Sequence, residues 1–232
     1  MFWYTELMSQ KQERRTSDNP YIDRVWRSTA LSDGTYLATP DSSWDLIAAI
    51  KADGARMVFI TGQATKAERL NYKAGEQSVV IQFAAGAYLP VFKGAPFTDS
   101  FVILQLPDDM HFELAGNIFP WPTFENAEEL IDEMVRLGVL ANDDIVDGVL
   151  RGTPKAASKR SIERHFKTTT GLSPKKMADI RRAQEAVRML KSGKDPSTTA
   201  VDAGYYDQPH LSKSLKKLMD SLPSDVDDIN QV

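Results

Sequence analysis

The chain has 232 residues, enough for one large domain or two modest ones that each bury a core. Its 42% hydrophobic content is that of a globular protein, no apolar run approaches the roughly 20 residues a membrane helix needs, and the lack of cysteine excludes disulfides, thiolate metal sites and a cysteine nucleophile. The net charge of -4 conceals opposed parts: residues 151–217 hold 16 Lys+Arg against 6 Asp+Glu and the remainder 12 against 26, so a polyanionic partner is expected at the C-terminal part, although charge alone leaves a merely solvated basic surface open.

Met1 to about Arg24 is polar, mixed in charge and without period, and reads as a flexible arm over 1–24. It lacks the basic start, apolar stretch and small-residue site of an export signal, so a cytoplasmic protein is expected. From Trp26 to about Leu106 the segments TYLAT, WDLIAAI, MVFIT, AERLNYK and SVVIQFA read as strands, with turn chemistry at KADG and KAGE. They predict a β-rich, barrel-like domain over 25–119. Trp44, Leu46 and Ala48 alternate with Asp45, Ile47 and Ala49, in part the pattern of a strand buried on both faces. Trp26, Trp44, Tyr88 and Phe92 are candidates to line an apolar pocket, but a small barrel needs such aromatics for its core in any case.

PWPTF ends the β region. ENAEELIDEMVRLG then shows helical spacing at Ala127, Leu130, Ile131, Met134 and Leu137, and DDIVDGVL is a second short helix stopped by Thr153-Pro154. These connecting helices occupy 120–150. Between Ser173, a good N-cap, and Gly193, which suits the position past a helix end, Pro174 begins a helix of about 19 residues, about 28 Å long at 1.5 Å per residue.

A shift of 49 residues aligns SKRSIERHFKTTTGLSP, from Ser158, with DQPHLSKSLKKLMDSLP, from Asp207. Ser158 and Asp207 are both N-cap types; Ile162 matches Leu211, Phe166 matches Leu215 and Arg164 matches Lys213. In the first helix Arg160, Glu163, Arg164 and Lys167 share one face, opposite Ile162, Phe166 and Thr169. In the second, His210, Lys213 and Lys217 share a face, with Pro209 and Lys216 beside them, opposite Leu211, Leu215 and Leu218. A packed face backed by a basic, donor-rich one is what a helix in the major groove requires. Before the second helix stands DPSTTAVDAGYYDQ, a short helix and glycine turn in which Ala200 and Gly204 are small where two helices must cross closely. The long helix from Pro174 joins the two units as a strut of the order of one duplex turn, about 34 Å.

GYYDQPHLSKSLKKLMDSLPSD, preceded by ASKRSIERHFKTTTGLSPKKM, resembles the DNA-binding domain of the AraC/XylS family. VWRS, SSWDLI and FENAEELIDEMVRLGVL extend the likeness to a subfamily of short regulators with a compact N-terminal β domain. The resemblance implies an α+β protein: a β-rich regulatory domain, then an all-α domain over 151–232 with two helix-turn-helix units joined by a long helix. It implies sequence-specific binding to double-stranded DNA, and a β domain that senses a small-molecule effector or mediates self-association, as in a homodimer. Carried over by position, Arg160, Glu163 and Arg164 face bases in the first unit, Gln208, Pro209, His210 and Lys213 in the second, and Lys216 meets phosphate. Two departures stand out. DGVLRGTPKAA occupies the place of the first unit's short helix and small-residue turn, which suggests a distorted or weakly base-specific unit, and Pro209 removes an N–H and a flexible polar side chain from a contact position.

None of GxSxG, HExxH, GxxxxGK[ST] or GxGxxG occurs, and the three histidines, His111, His165 and His210, are too scattered for a metal site. No enzyme, cofactor, metal or membrane association is expected. The alternative function is a small-molecule-binding or protein-interaction module whose helical domain no longer binds DNA.

Overall fold

The computed structural model describes residues 3–7, 10–92 and 97–226. The N-terminal part holds β1 (Trp3–Leu7), β2 (Gln10–Thr16), β3 (Ile22–Ala30), β4 (Gly34–Ala38), β5 (Asp45–Ile50), β6 (Arg56–Thr61), β7 (Glu68–Tyr72), β8 (Gln77–Phe83), β9 (Ala87–Tyr88), β10 (Phe101–Ile103), β11 (Gln105–Asp108), β12 (His111–Leu114) and β13 (Asn117–Pro120). After α1 (Ala127–Arg136) and β14 (Ala141–Asn142) come α2 (Asp144–Leu150), α3 (Lys159–Thr170), α4 (Pro174–Lys191), α5 (Pro196–Asp202) and α6 (Gln208–Met219). A mostly sheet N-terminal domain is thus followed by a helical one, the α+β arrangement expected from the sequence.

The expected barrel-like closure does not occur. Seven antiparallel strands form an open sheet in the order β1-β2-β3-β8-β5-β6-β10. Closure requires the first and last strands to pair, but among the described residues β10 bonds only to β6 and β1 only to β2, while β4–β7 and β11–β13 form separate sheets. One face of the large sheet brings Val25, Leu46, Val58, Ile60, Ile81 and Phe83 into a core that Phe112 and Phe119 of the β11–β13 sheet and Leu130, Ile131 and Met134 of α1 complete. In β5 only one face is fully buried; Asp45, Ile47 and Ala49 on the other are half-buried.

The segment expected as a flexible arm is structured where it is described. β2 pairs along β3 from Gln10↔Ala30 to Thr16↔Arg24, and β1 extends the sheet. QKQERRT carries no apolar alternation because its strand face toward α1 is stabilised by charge: Arg15 donates to both Glu128 carboxylate oxygens and to the Phe124 carbonyl at 2.7 Å, and Arg15 and Arg27 both lie over the Phe124 ring, at 5.0 and 4.7 Å. The connecting helices divide between two cores. α1 belongs to the sheet's core, whereas Val146 of α2 is buried with Phe166, Ile180, Val187, Leu211 and Leu215 in the helical one.

The aromatic candidates do not form one pocket. Trp44 stacks on Phe97 with centroids 5.0 Å apart and Phe97 stacks on Phe92 at 4.7 Å, inside the core, while Trp26 pairs with Val80 on the sheet's opposite face.

Candidate nucleic-acid interface

The second unit is built by capping. Asp195 receives the Thr198 amide at 3.0 Å and starts α5; the Tyr205 amide donates to the Ala200 carbonyl at 2.8 Å as Gly204 turns at φ +74; Asp207 receives the His210 amide at 2.8 Å and starts α6. Ala200 is buried, but the space where a Gly204 side chain would point is open, so Gly204 is required by its backbone angle and not by a close crossing.

The first unit repeats these bonds at a shift of 52 residues. Asp143 caps α2 as Asp195 caps α5, receiving the Ile145 and Val146 amides at 3.0 and 3.2 Å. Thr153 donates to the Gly148 carbonyl at 2.8 Å as Tyr205 does to Ala200, and Gly152 turns at φ +75. Gly148 must lack a side chain, since a Cβ there would sit 2.8 Å from the Thr153 carbonyl oxygen. The short helix and small-residue turn, expected to be disturbed, are therefore intact. What differs is the turn, which runs three residues longer from Gly152 to the Ser158 cap than from Gly204 to the Asp207 cap. A constant 49-residue shift hides this match because the insertion lies between the two halves of the unit.

Asp143 also ties the unit together: its second oxygen accepts from His165 Nδ1 and Thr169 Oγ1, each at 2.8 Å. Burial pushes this carboxyl up, but the bonds from His165, Thr169 and the Val146 amide outweigh it and hold the carboxyl below its usual range. Between the units, α4 runs for 18 residues, about 27 Å. It starts where Ser173 receives the Lys176 amide and turns out at Gly193, φ +86.

Each candidate contact residue is exposed. Arg160, Glu163, Arg164 and Lys167 line the outer face of α3, opposite buried Phe166 and Thr169. Lys167 donates to the Gly171 carbonyl at 3.1 Å, capping its own helix, and a surface hollow of about 470 Å³ lies along Ser158, Arg160, Ser161 and Arg164. Gln208, Pro209, His210, Lys213, Lys216 and Lys217 line the outer face of α6, opposite buried Leu211, Leu215 and Leu218. Gln208 accepts from Ser197 at 3.0 Å, the His210 ring stands edge-on to Tyr205 at 5.3 Å, and Lys216 pairs with Asp220 at 2.7 Å. The first turn of α3 contains no acidic residue and its cap is Ser158, so that N-terminus does not oppose an incoming phosphate, whereas α6 carries the Asp207 carboxylate at its cap. Among the described residues no helix is long and apolar enough to cross a membrane.

Two capped helix pairs joined by one strut, each presenting a basic helix, define a tandem helix-turn-helix DNA-binding domain. Residues 156–228 match the family model described as a helix-turn-helix domain. The match begins inside the longer turn, after α2. No curated protein matches the chain. Among solved structures it is similar to ToxT from Vibrio cholerae, at 10% identity and TM-score 0.42 over 96% of this chain and 99% of that one. It is also similar to ToxT from Vibrio cholerae O395 bound to (E)-4-(8-methylnaphthalen-1-yl)but-3-enoic acid, at 8% identity and TM-score 0.40 over 93% and 97%. A third similar structure is unsaturated fatty acid bound wild-type ToxT from Vibrio cholerae strain SCE256, at 10% identity and TM-score 0.37 over 98% of each chain.

Proposed function

We propose that the chain reads specific duplex sites by placing α3 and α6 in successive major grooves on one side of the DNA. The observation that carries this reading is the equivalence of the two units in their helix caps and glycine turns, with their basic faces exposed at matching places. Arg160, Glu163 and Arg164 serve as base readers in the first unit and Gln208, Pro209, His210 and Lys213 in the second. Lys167, Lys216 and Lys217 hold phosphate. The strut of about 27 Å is of the order of the 34 Å groove repeat, the remainder being made up by the helices' own reach.

The β domain serves as the regulatory part. Its open crevice of about 310 Å³, lined by Val91, Phe92, Ile103, Leu104 and Leu114, is the place for a small apolar effector, and its edge strand β10, which exposes Phe101 and Ile103, is the place for self-association into a homodimer. Selection of binding sites from random duplex by the full chain tests the reading. A defined site bound with a steep salt dependence supports it, and equal weak binding to every duplex rejects base readout.

A further inference from the structure

Among the described residues β4 and β7 pair only with each other, as a ribbon apart from the seven-stranded sheet. It lies between two things it touches differently. Leu37 is 2% exposed and belongs to the helical core. Its neighbour Tyr36 faces the other way, with Asp45 as the foremost charge acting on it. The β6–β7 loop continues the contact: the Ala67 amide donates to the Leu218 carbonyl in the last turn of α6 at 2.9 Å, and Lys176 of α4 donates to the Thr65 carbonyl at 3.2 Å. Thr65 is in turn held by Asp99, through its amide at 2.6 Å and its hydroxyl at 2.7 Å.

Where β4 runs on into β5 lies a pair of half-buried carboxylates that share the partner Gln82. Asp41 sits in the short connection from β4 to β5, and Asp45 opens β5. Gln82 of β8 donates to Asp41 at 2.5 Å and also hydrogen-bonds Asp45, and Thr61 of β6 reaches Asp45 at 3.4 Å. Asp45 Oδ1 is enclosed and meets no hydrogen-bond donor among the described residues. The cation facing both is Arg24 of β3, which also pairs with Asp23 at 3.1 Å.

We propose that the β4–β7 ribbon couples proton binding by Asp41 and Asp45 to the seating of the second recognition helix. With a proton on the pair, the acids tolerate burial and the ribbon sits closed, Leu37 in the helical core and Ala67 on Leu218. With both ionised, two like charges share one largely enclosed site in which Arg24 is also engaged by Asp23, and water must enter beside the β4–β5 connection to solvate them. Burial pushes the Asp41 carboxyl up to about 6, and burial together with Asp41 pushes Asp45 well above the carboxylate range. Asp23 adds to the negative field on Asp41, while Tyr36, pushed up to about 12 by burial and by Asp45, Glu68 and Glu76, stays neutral throughout. The consequence for promoter occupancy rests on α6 being a DNA reader; the coupling itself does not.

The test is amide exchange of the full chain without DNA, corrected for the intrinsic rate at each pH. Between about pH 5.5 and about pH 8, protection of the ribbon and of the last turn of α6 is expected to fall on the order of tenfold in the wild type and to stay level in Asp45→Asn and Asp41→Asn. In Leu37→Ala the ribbon should keep its pH dependence and α6 should lose it. Level protection of α6 in the wild type, or wild-type pH dependence retained in both Asn variants, overturns the proposal. Failure to bind any specific duplex, with these exchange results intact, would overturn the DNA-reading role instead.

Discussion

Arg181 and Arg182 are neighbours in α4 that brace different units: the Arg181 guanidinium donates to the Leu150 carbonyl at the end of α2, and that of Arg182 donates to the Gly204 carbonyl at 3.3 Å. One point on the strut thus holds both turns. Arg182 also pairs with Asp179 at 2.6 Å and lies 5.4 Å over the Tyr205 ring. Arg182→Ala is expected to cost about 1 kcal/mol of stability, and Arg182→Lys to recover little of it, because a compact ammonium cannot span three separated partners. Thermal unfolding of both variants checks this; full stability in the Lys variant would reject the bracing role.

The glycine turns should respond alike. Gly152 and Gly204 have φ +75 and +74 with open space beside them, so alanine at either is strained by its backbone alone, at about 1–2 kcal/mol. Gly148→Ala adds a clash with the Thr153 carbonyl and should cost more than the matching Ala200→Gly change. Denaturant midpoints for the set would contradict the equivalence of the units if Gly152→Ala proved neutral.

Lys213 and Lys216 should separate base from phosphate contact. Lys213 projects from the middle of the exposed face, whereas Lys216 already pairs with Asp220. Lys213→Ala is expected to cost about 1–3 kcal/mol on the selected site and much less on random duplex, while Lys216→Ala weakens both and lowers the salt slope by about one. Titrations on the two duplexes at several salt concentrations decide it; equal losses for both variants on both duplexes would leave α6 touching backbone only.

Acid should unfasten β2 from α1. Bonds from Arg15 and then Ser17, against a smaller burial penalty, hold the Glu128 carboxyl down at about 2. A carboxyl whose pKa is lowered by folding contributes stability above its unfolded value, and that contribution is lost as pH falls toward the folded one. The difference in stability between the wild type and Glu128→Gln is therefore expected to be full at neutral pH, to shrink below about pH 4.5 and to vanish near pH 2. Denaturant unfolding across that range measures it, and a difference independent of pH would show the pair is not what titrates.

A DNA-binding fragment should begin after α1. A cut near Thr123 would carry Leu130, Ile131 and Met134 into solvent, whereas one beginning at Asn142 keeps the Asp143 cap and both units. Either fragment loses Leu37 and leaves a gap in the helical core, which should cost about 2–3 kcal/mol. The shorter fragment is expected to stay monodisperse and bind duplex, and the longer to aggregate; light scattering with binding assays compares them.

Sequence by itself determined what depends on a few neighbouring residues. Ser158, Ser173 and Asp207 cap helices where expected, Pro174 and Gly193 bound the strut, and the charged and apolar faces of α3 and α6 follow from their spacing. The strands from Gly34 to Phe83 announced themselves by β-branched runs between turn residues. Only the tertiary structure decided the rest, because the forces involved act between distant segments. β1 and β2 lack apolar alternation; β2 is held by pairing with β3 and by α1, and β1 by pairing with β2, while β10 to β13 are short and largely polar or exposed on one side. Whether the sheet closed depended on which edges met, and the first unit's match to the second was masked by three inserted residues that leave its hydrogen bonds unchanged. That Leu37 enters the helical core while Tyr36 lies against Tyr72 follows from the ribbon's seat beside the helical domain, a position that side-chain alternation along a strand permits but cannot specify.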